Sequence, residues 1–284
     1  GLQHGTGTYR LPNGYEYSGD WADGEIKGRG TARFPNGSVY EGEFEKGKPQ
    51  GVGKIVFADG GTFEGGWAEG KIVGQGVAQY ANGTRYEGAF LNAKHHGNGV
   101  MTSPSGYIYD GTWLDGVKEG TANITYPDGS VYAGQFRRDL ADGLGKITYP
   151  DGSTYEGSWK NGVIEGSGKA TYANGLVYEG EFLNAKNHGR GVMTYADGYR
   201  YDGLWANGQR EGLGTATYPD GTEYTGEFAA GQRHGVGEIV MPDGFKYAGE
   251  WQNGEISGRG VATYANGDVY EGMFKSGKRQ GEGT

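Results

Sequence analysis

The chain has 284 residues, of which 61 are glycine and none is cysteine, and its formal net charge is −9. The lack of cysteine excludes disulfides, thiol catalysis and Cys-based metal sites, and the glycines follow no Gly-X-Y period of the kind found in collagen. An aromatic content of 13% is too high for a disordered chain. The acidic balance, without any polybasic block, argues against nucleic acid as a partner and against docking on anionic lipid by charge alone.

The sequence repeats every 23 residues along nearly its whole length. Counting starts at Tyr17, which we call position 0, and steps of 23 fall on an aromatic residue twelve times with no insertion or deletion. Glycine occupies positions +2 and +11 of every copy, and it occupies +13 in every copy but one, where Ala122 stands. Self-similarity at a fixed period indicates a repeat architecture. The residues at position 0 are Tyr17, Tyr40, Phe63, Tyr86, Tyr109, Tyr132, Tyr155, Tyr178, Tyr201, Tyr224, Tyr247 and Tyr270.

In chain order, each copy predicts a strand, a loop, a second strand and a turn. In the copy that starts at Tyr155, residues 155–159 alternate between large or glycine and polar residues, which indicates a strand. A short loop is expected at 161–165, and a second alternating strand at 166–172. The Pro-Asp-Gly or Ala-Asn-Gly link to the next copy suits a type I turn followed by a left-handed glycine. We therefore predict an all-β fold: an elongated, single-layer, twisted antiparallel sheet built from tandem 23-residue β-hairpins.

The large residues share one face of the predicted sheet with the glycines. Rings can lie flat over bare glycine backbone. Trp and Phe alternate at position +4, and Trp copies carry Ala at +15 except for Ile124, whereas Phe copies carry Ile or Met. Because a close-packed layer conserves volume, we expect the residue at +15 to pack against the +4 ring of its own hairpin, as Ala170 against Trp159.

The pattern Y-x-G-x-W/F-x-x-G-x-x-x-G-x-G at this period resembles the MORN (membrane occupation and recognition nexus) repeat, and residues 178–198 are close to that family's consensus. The departures are Ala93, Asp139 and Ala185 at position +7, and Ala122 at +13. The resemblance implies an elongated all-β array without intrinsic catalysis. Members of the family are described as scaffolds, membrane-associated tethers or targeting modules attached to enzymes, and some bind a partner helix in their groove. We interpret residues 1–284 as one continuous array of about twelve such repeats, and the absence of polar caps favours a piece of a longer chain.

Residues that carry chemistry recur without forming a constellation. Histidines four copies apart, such as His96 and His188, should lie about 38 Å apart at about 4.8 Å per strand. We therefore interpret them as polar residues that shape the loop before the +11 glycine. Acidic residues at +1 recur in two-thirds of the copies, which indicates a solvated outer face. We predict no enzyme activity, no catalytic residue, no metal site and no cofactor. The five histidines are His4, His95, His96, His188 and His234.

The aromatic face leaves two interpretations open. The rings form only the core, or a single layer leaves part of them as a groove for a peptide or helix, an acyl chain or a sugar polymer. The candidate partner-binding residues are the extra aromatics beside the tight turns, Tyr15, Tyr107, Tyr199 and Phe245.

The leading functional prediction is a non-enzymatic scaffold whose elongated surface serves protein–protein interaction and assembly. The alternative is a membrane- or phospholipid-binding or targeting module attached to an enzyme elsewhere in the full-length chain. We expect a protein partner, with lipid as the second option and no nucleic acid. The expected location is cytoplasmic, or peripheral to membrane or cytoskeleton.

The last predicted strand, near residues 269–274, lacks a full hairpin partner in the sequence. An open strand edge is a template for another chain, so we also predict self-association of the terminal hairpins, as a homodimer or head to tail. The residues assigned to this contact are Tyr270, Phe274, Lys275, Lys278 and Arg279.

Overall fold

The computed structural model describes residues 1–281 and 283–284. Within these residues there are 25 β-strands and no helix, and the strands are paired into antiparallel sheet. The predicted all-β sheet of tandem hairpins is therefore confirmed. The chain divides into two compact units, Gly1–Ala141 and Asp142–Thr284.

Within each unit, every strand pairs with the one that follows it in the chain. The strands of the first unit are β1 Gly5–Arg10, β2 Glu16–Ala22, β3 Glu25–Arg33, β4 Val39–Glu45, β5 Lys48–Val56, β6 Thr62–Ala68, β7 Lys71–Gln79, β8 Arg85–Leu91, β9 Lys94–Thr102, β10 Ile108–Leu114, β11 Val117–Thr125 and β12 Val131–Arg137. Strand β13, Leu140–Thr148, begins at the end of the first unit and continues into the second. The remaining strands are β14 Thr154–Lys160, β15 Val163–Thr171, β16 Val177–Leu183, β17 Lys186–Thr194, β18 Arg200–Ala206, β19 Gln209–Thr217, β20 Glu223–Ala229, β21 Gln232–Val240, β22 Lys246–Gln252, β23 Glu255–Thr263, β24 Val269–Lys275 and β25 Lys278–Gln280.

The turn inside each repeat is tighter than the sequence predicts. Between β14 and β15 only Asn161 and Gly162 are outside the strands, and both have positive φ, 49° and 81°. Two residues with positive φ make a type I′ turn, whose twist matches that of the flanking strands. The prediction of a loop over 161–165 was wrong, because residues 163–165 already belong to β15.

A β-bulge in the second strand explains the glycine at position +11. Between β18 and β19, Gly203 pairs with Gly214 and Trp205 pairs with Arg210, so three residues of β19 face one residue of β18. The middle residue of the three, Gly212, has φ of 78°. Two extra residues are thus accommodated in β19, and the left-handed position among them needs a glycine. The same three-to-one register shift recurs in other repeats, as between Gly19 and Trp21.

The turn between repeats is the predicted one. Gly14 N–H donates to the carbonyl of Leu11 at 3.1 Å, and Leu11 N–H donates to the carbonyl of Tyr15 at 2.9 Å. Gly14 is left-handed, with φ of 95°. The Asn13 side chain accepts a hydrogen bond from Tyr15 N–H at 3.0 Å. The type I turn followed by a left-handed glycine is confirmed.

The rings at positions 0 and +4 form the core of each unit. Tyr40 is fully buried, and its ring centroid lies 5.1 Å from Phe44 of its own copy and 5.0 Å from Trp67 of the next copy, edge to face in both cases. The polar ends of the rings are satisfied, since Tyr40 Oη donates to the Glu43 carbonyl at 2.9 Å and Trp67 Nε1 donates to the Gly53 carbonyl at 3.1 Å. Burial of each such ring contributes about 2–3 kcal/mol. The interpretation of these rings as core is confirmed for most of positions 0 and +4, whereas Trp21, Trp159 and Tyr270 keep part of their surface exposed.

The residue at +15 was expected to pack against the tryptophan of its own hairpin, but the strand register places other residues opposite it. Ala170 stands directly opposite Tyr155 on one side and Tyr178 on the other. Trp159 stands opposite Ile164, and its Nε1 donates to the carbonyl of Gly145 in the preceding repeat at 3.1 Å. The indole is therefore held toward the preceding repeat, and the residue at +15 is enclosed by two position-0 rings.

Candidate functional site

A second layer of side chains lies above the buried rings, on the same face of the sheet. We call it the outer layer, and it consists of the residues at +17, the aromatic residues two before position 0, and the side chain at +9. Tyr172 and Tyr195 at position +17 are 40% and 39% exposed. The outer layer is the part of the ring face that another molecule can reach.

The four aromatics predicted to bind a partner all belong to this layer. Each is half-buried, lies in a different repeat, and packs against the +17 residue of its own turn region or the next. They do not come together in one pocket. Their ring contacts are Tyr15 with Phe34 at 5.8 Å, Tyr107 with Tyr126 at 6.0 Å, Tyr199 with Tyr195 at 5.2 Å and with Tyr218 at 5.1 Å, and Phe245 with Tyr264 at 5.6 Å.

The sequence reasoning missed the +17 row itself. The signal was present, since counting in steps of 23 finds an aromatic residue at +17 in all but two of the copies from Phe34 onward, the exceptions being Ser103 and Met241. The aromatic members are Phe34, Phe57, Tyr80, Tyr126, Tyr149, Tyr172, Tyr195, Tyr218 and Tyr264.

Position +9 is the variable element of the outer layer. Its main chain is fixed, because the carbonyl of this residue accepts a hydrogen bond from the +7 N–H of the next copy, as Ile26 does from Gly47 at 3.0 Å. Its side chain changes from copy to copy, from aliphatic to cationic. In chain order the residues are Ile26, Pro49, Ile72, His95, Lys118, Ala141, Ile164, Asn187, Arg210, Arg233, Ile256 and Arg279.

Cations at +9 lie over the rings. Lys118 Nζ donates to Tyr107 Oη at 2.9 Å and stands 4.8 Å from the centroid of that ring. Arg210 donates to Tyr199 Oη and, at 2.6 Å, to the carbonyl of Gly231. The Arg233 guanidinium lies 4.5 Å from the Trp251 ring. Such contacts favour the cation without neutralising it.

His95 occupies +9 and is part of the same layer. Its ring stacks on Tyr86 at 3.7 Å, and its Nε2 lies 2.6 Å from Tyr80 Oη. Burial lowers the pKa of His95 to about 4, so the imidazole is neutral at pH 7. The prediction that the histidines lie in a loop was wrong for His95, His96, His188 and His234, which lie in strands β9, β17 and β21.

The outer layer encloses a cleft in each unit. In the first unit a cleft of about 390 Å³ is lined by Tyr15, Ile26, Phe34 and Pro49 among others. In the second unit a cleft of about 800 Å³ has in its lining Met241, Phe245, Tyr264, Tyr270 and Arg279. Both clefts combine the same three repeat positions, and both are open to a ligand along the ring face.

The residues assigned to self-association are divided between core and surface. Phe274 is only 5% exposed and lies edge to face with Tyr247 and Tyr270, so it is a core residue. Lys275, Lys278 and Arg279 are exposed, and Tyr270 is partly exposed.

The last strand, which was expected to lack a full hairpin partner, pairs with a strand of three residues. Strand β24 pairs with β25 from Met273 opposite Gln280 to Lys275 opposite Lys278. Farther along, Glu271 and Thr284 exchange two backbone hydrogen bonds of 2.9 and 3.1 Å. Self-association stays a prediction.

Within residues 1–281 and 283–284, no three His, Asp or Glu side chains are grouped closely enough to hold a metal ion. Over the same residues, no helix has the length and apolar character needed to cross a membrane.

Comparisons with known structures find matches at low similarity. The SAS-4 (dCPAP) TCP domain of Drosophila melanogaster, solved in complex with a proline-rich motif of Ana2 (dSTIL), is 18% identical over 62% of this chain and 90% of that one, with a TM-score of 0.36. The TCP10 domain of Danio rerio CPAP, in complex with a peptide of STIL, is 15% identical over 98% of both chains, with a TM-score of 0.33. No curated protein sequence matches the chain.

A family model named MORN repeat matches thirteen consecutive segments, of which the first covers residues 1–14 and the last residues 270–284. The matched segments follow the same 23-residue period as the hairpins and their buried rings. The chain therefore belongs to the MORN repeat family.

Proposed function

We propose that the protein is a non-enzymatic scaffold that binds a segment of another protein on the outer layer of its ring face. The observation that carries this proposal is the half-exposed row at +17, with Tyr172 and Tyr195 at 40% and 39% exposure above core rings that are mostly buried. The core does not need the outer part of these rings, and rings that combine an apolar body with a hydroxyl are enriched where proteins bind one another.

The chemistry of the outer layer supports a protein ligand over a lipid. Tyr hydroxyls, guanidiniums and ring faces recur together along it, and these groups dominate the binding energy of protein interfaces. Membrane docking by charge needs a cluster of several cations. No copy has more than one cation at +9, and the net charge of the chain is −9.

A random-peptide library displayed on phage tests the proposal. We expect selection of binding peptides, and we expect Tyr199→Ser to weaken them about tenfold, since one well-placed ring contributes on the order of 1.4 kcal/mol. Serine at this repeat position already occurs at Ser130 and Ser153, so the variant should fold.

The matched control is Leu213→Arg on the opposite face, where Arg190 and Arg259 occupy the same repeat position. It should leave peptide binding unchanged. Failure to select any peptide, together with tight binding to phosphatidylserine vesicles, would favour the membrane alternative and defeat the scaffold proposal.

A further inference from the structure

We infer that the outer layer of the second unit binds an acidic, proline-rich segment in the polyproline II conformation, lying across the strands from Tyr172 to Tyr264. This inference rests on the proposed scaffold function and names the class of its partner. The residues involved are Tyr172, Tyr195, Tyr218 and Tyr264 at +17, with Arg210, Arg233 and Arg279 at +9.

The spacing of the rings selects the conformation of the ligand. Successive +17 residues are two strands apart, which is about 9.5 Å at the usual strand separation. A polyproline II helix has three residues per turn and rises about 3.1 Å per residue, so it presents the same edge every 9.3 Å or so. Over the four intervals from Tyr172 to Tyr264 the two periods drift apart by only about 1 Å.

Other conformations fit the rings less well. An α-helix returns the same face after seven residues, or about 10.5 Å, and would drift by about 4 Å over the same four intervals. In an extended strand, side chains on the same face are roughly 6.6–6.8 Å apart, so they do not coincide with rings spaced about 9.5 Å apart. A segment of about twelve residues in the polyproline II form would reach from Tyr172 to Tyr264.

The polar groups of the outer layer suit such a segment. Polyproline II has no internal hydrogen bonds, so its carbonyl groups accept from outside donors. The outer layer offers Tyr hydroxyls and guanidinium N–H groups, and aromatic-lined grooves are a recurring way to bind proline-rich segments. The cleft between Phe245, Tyr264 and Arg279, of about 800 Å³, combines ring and donor in one place.

The charge of the ligand follows from the arginines. Arg210 and Arg233 each donate to a backbone carbonyl, that of Gly231 and that of Gly254, and Arg279 lies 5.7 Å from the Tyr264 ring. Among the described residues of the second unit, ion pairs join Lys146 to Glu156, Lys160 to Glu165 and Arg200 to Asp202, and none includes these three arginines. Three guanidiniums without a carboxylate on a ring face favour acidic residues in the ligand.

Calorimetric titration of the whole chain with the twelve-residue peptide (Pro-Pro-Glu)₄ tests the inference. We expect binding of this peptide, and weaker binding, by about tenfold or more, of (Pro-Pro-Lys)₄ and of an acidic amphipathic helical peptide of equal charge. The variants Arg210→Ile and Tyr195→Ser should each weaken (Pro-Pro-Glu)₄ about tenfold.

These substitutions have precedents in the array, since Ile164 and Ile256 occupy +9 and Ser103 occupies +17. Arg190→Leu removes the same charge from the opposite face, where Leu213 is the precedent, and should leave affinity unchanged. Circular dichroism melts of all variants separate lost binding from lost folding.

Equal binding of the lysine peptide, or tighter binding of the helical peptide, would overturn this inference and leave the scaffold proposal standing. A library that yields no binding peptide at all would defeat both.

Discussion

The ring of Tyr201 lies against Gly214, so close that a Cβ on this glycine would stand 2.5 Å from Cε2 of the ring and 2.6 Å from Cζ. One copy carries a larger residue at this position, Ala122, below Tyr109. There the ring centroid of Tyr109 lies 5.7 Å from Phe136 of the next copy, whereas Tyr201 lies 4.9 Å from Phe228. The methyl group is associated with a wider gap between neighbouring copies.

Gly214→Ala should therefore destabilise the protein by about 1–3 kcal/mol, as overpacking of a tight core does. Urea unfolding measures the effect. The reverse change, Ala122→Gly, is the matched control and should cost no more than roughly the 0.5–1 kcal/mol that glycine loses in conformational entropy inside a strand. A Gly214→Ala variant with an unchanged midpoint would show that the ring can move freely.

Ala185→Gly should stabilise the protein by about 0.5–1 kcal/mol. Ala185 occupies the second position of a type I′ turn with φ of 59°, while the equivalent residue in the next copy is Gly208, with φ of 85°. A residue with a side chain in this region carries a steric penalty of about 1–2 kcal/mol, which the greater freedom of glycine in the unfolded chain partly offsets. Gly208→Ala should have the opposite sign in the same thermal melts; equal melting points for both variants would contradict the assignment of the turn.

Ala170→Ile should cost about 1–3 kcal/mol, because Ala170 is buried between Tyr155 and Tyr178. Thr171→Ile adds similar bulk on the opposite face and should change the denaturation midpoint little. Equal midpoints for the two variants would show that the +15 site can accommodate a larger side chain despite its burial.

His95 should make stability depend on pH in the acidic range. Burial lowers its pKa to about 4 from the ordinary 6.5, and its neighbours Tyr80, Tyr86 and Trp113 carry no charge at these pH values. Between pH 6.5 and 4 the His95 imidazole binds a proton in the unfolded chain but not in the folded chain. The contribution of His95 to stability is therefore complete above pH 6.5 and is lost as the pH falls toward 4. Allowing for partial exposure, we expect a loss of about 1 kcal/mol.

Denaturation of the wild type and of His95→Asn at several pH values measures this loss. Asparagine already occupies +9 at Asn187, where it is buried. The difference in unfolding free energy between the two proteins should change between pH 6.5 and 4; a constant difference would contradict the assignment.

The core tyrosines should ionise late. Burial raises the pKa of several position-0 tyrosines to about 12 from the ordinary 10, namely Tyr17, Tyr40, Tyr86, Tyr155, Tyr178, Tyr201 and Tyr224. Their contribution to stability is complete below pH 10 and is lost as the pH rises toward 12. Phenolate absorbance should therefore rise in two phases as the pH increases, and the second phase should coincide with loss of the β-sheet circular dichroism signal. A single phase near pH 10 would contradict the burial of the position-0 tyrosines.

Much of this structure follows from the period alone. The hairpins and the type I turn with its left-handed glycine are set by local residues repeated at fixed spacing, and both were predicted; the burial of the position-0 rings was one of two interpretations left open. The bulge opposite Leu204 was not, because its two extra residues depend on the pairing between two strands, which the residues of one strand do not show; residues 163–165 were assigned to a loop. The neighbours of Ala170 were not predicted either, since the hydrogen bond from Trp159 to the preceding repeat depends on register between copies.

The candidate site was only partly visible in the sequence. Tyr15, Tyr107, Tyr199 and Phe245 stood out because they occur in few copies, whereas the +17 residues were treated only as the end of the second strand and were not counted as a row. The cations at +9 were not assigned to the ring face, because position +9 was assigned to a loop, whereas the register places Arg210 opposite Trp205 in β19.

The main-chain hydrogen bond at position +9 separates folding from surface chemistry. The carbonyls of Ile26 and Arg210 each accept a hydrogen bond of 3.0 Å from the turn of the next copy. The backbone conformation is therefore the same whichever side chain occupies +9. Each copy can thus change its side chain at +9 on the ring face without altering the structure of the neighbouring copies. Duplication of hairpins followed by single substitutions at +9 gives such an array a route to new partners that leaves its architecture untouched.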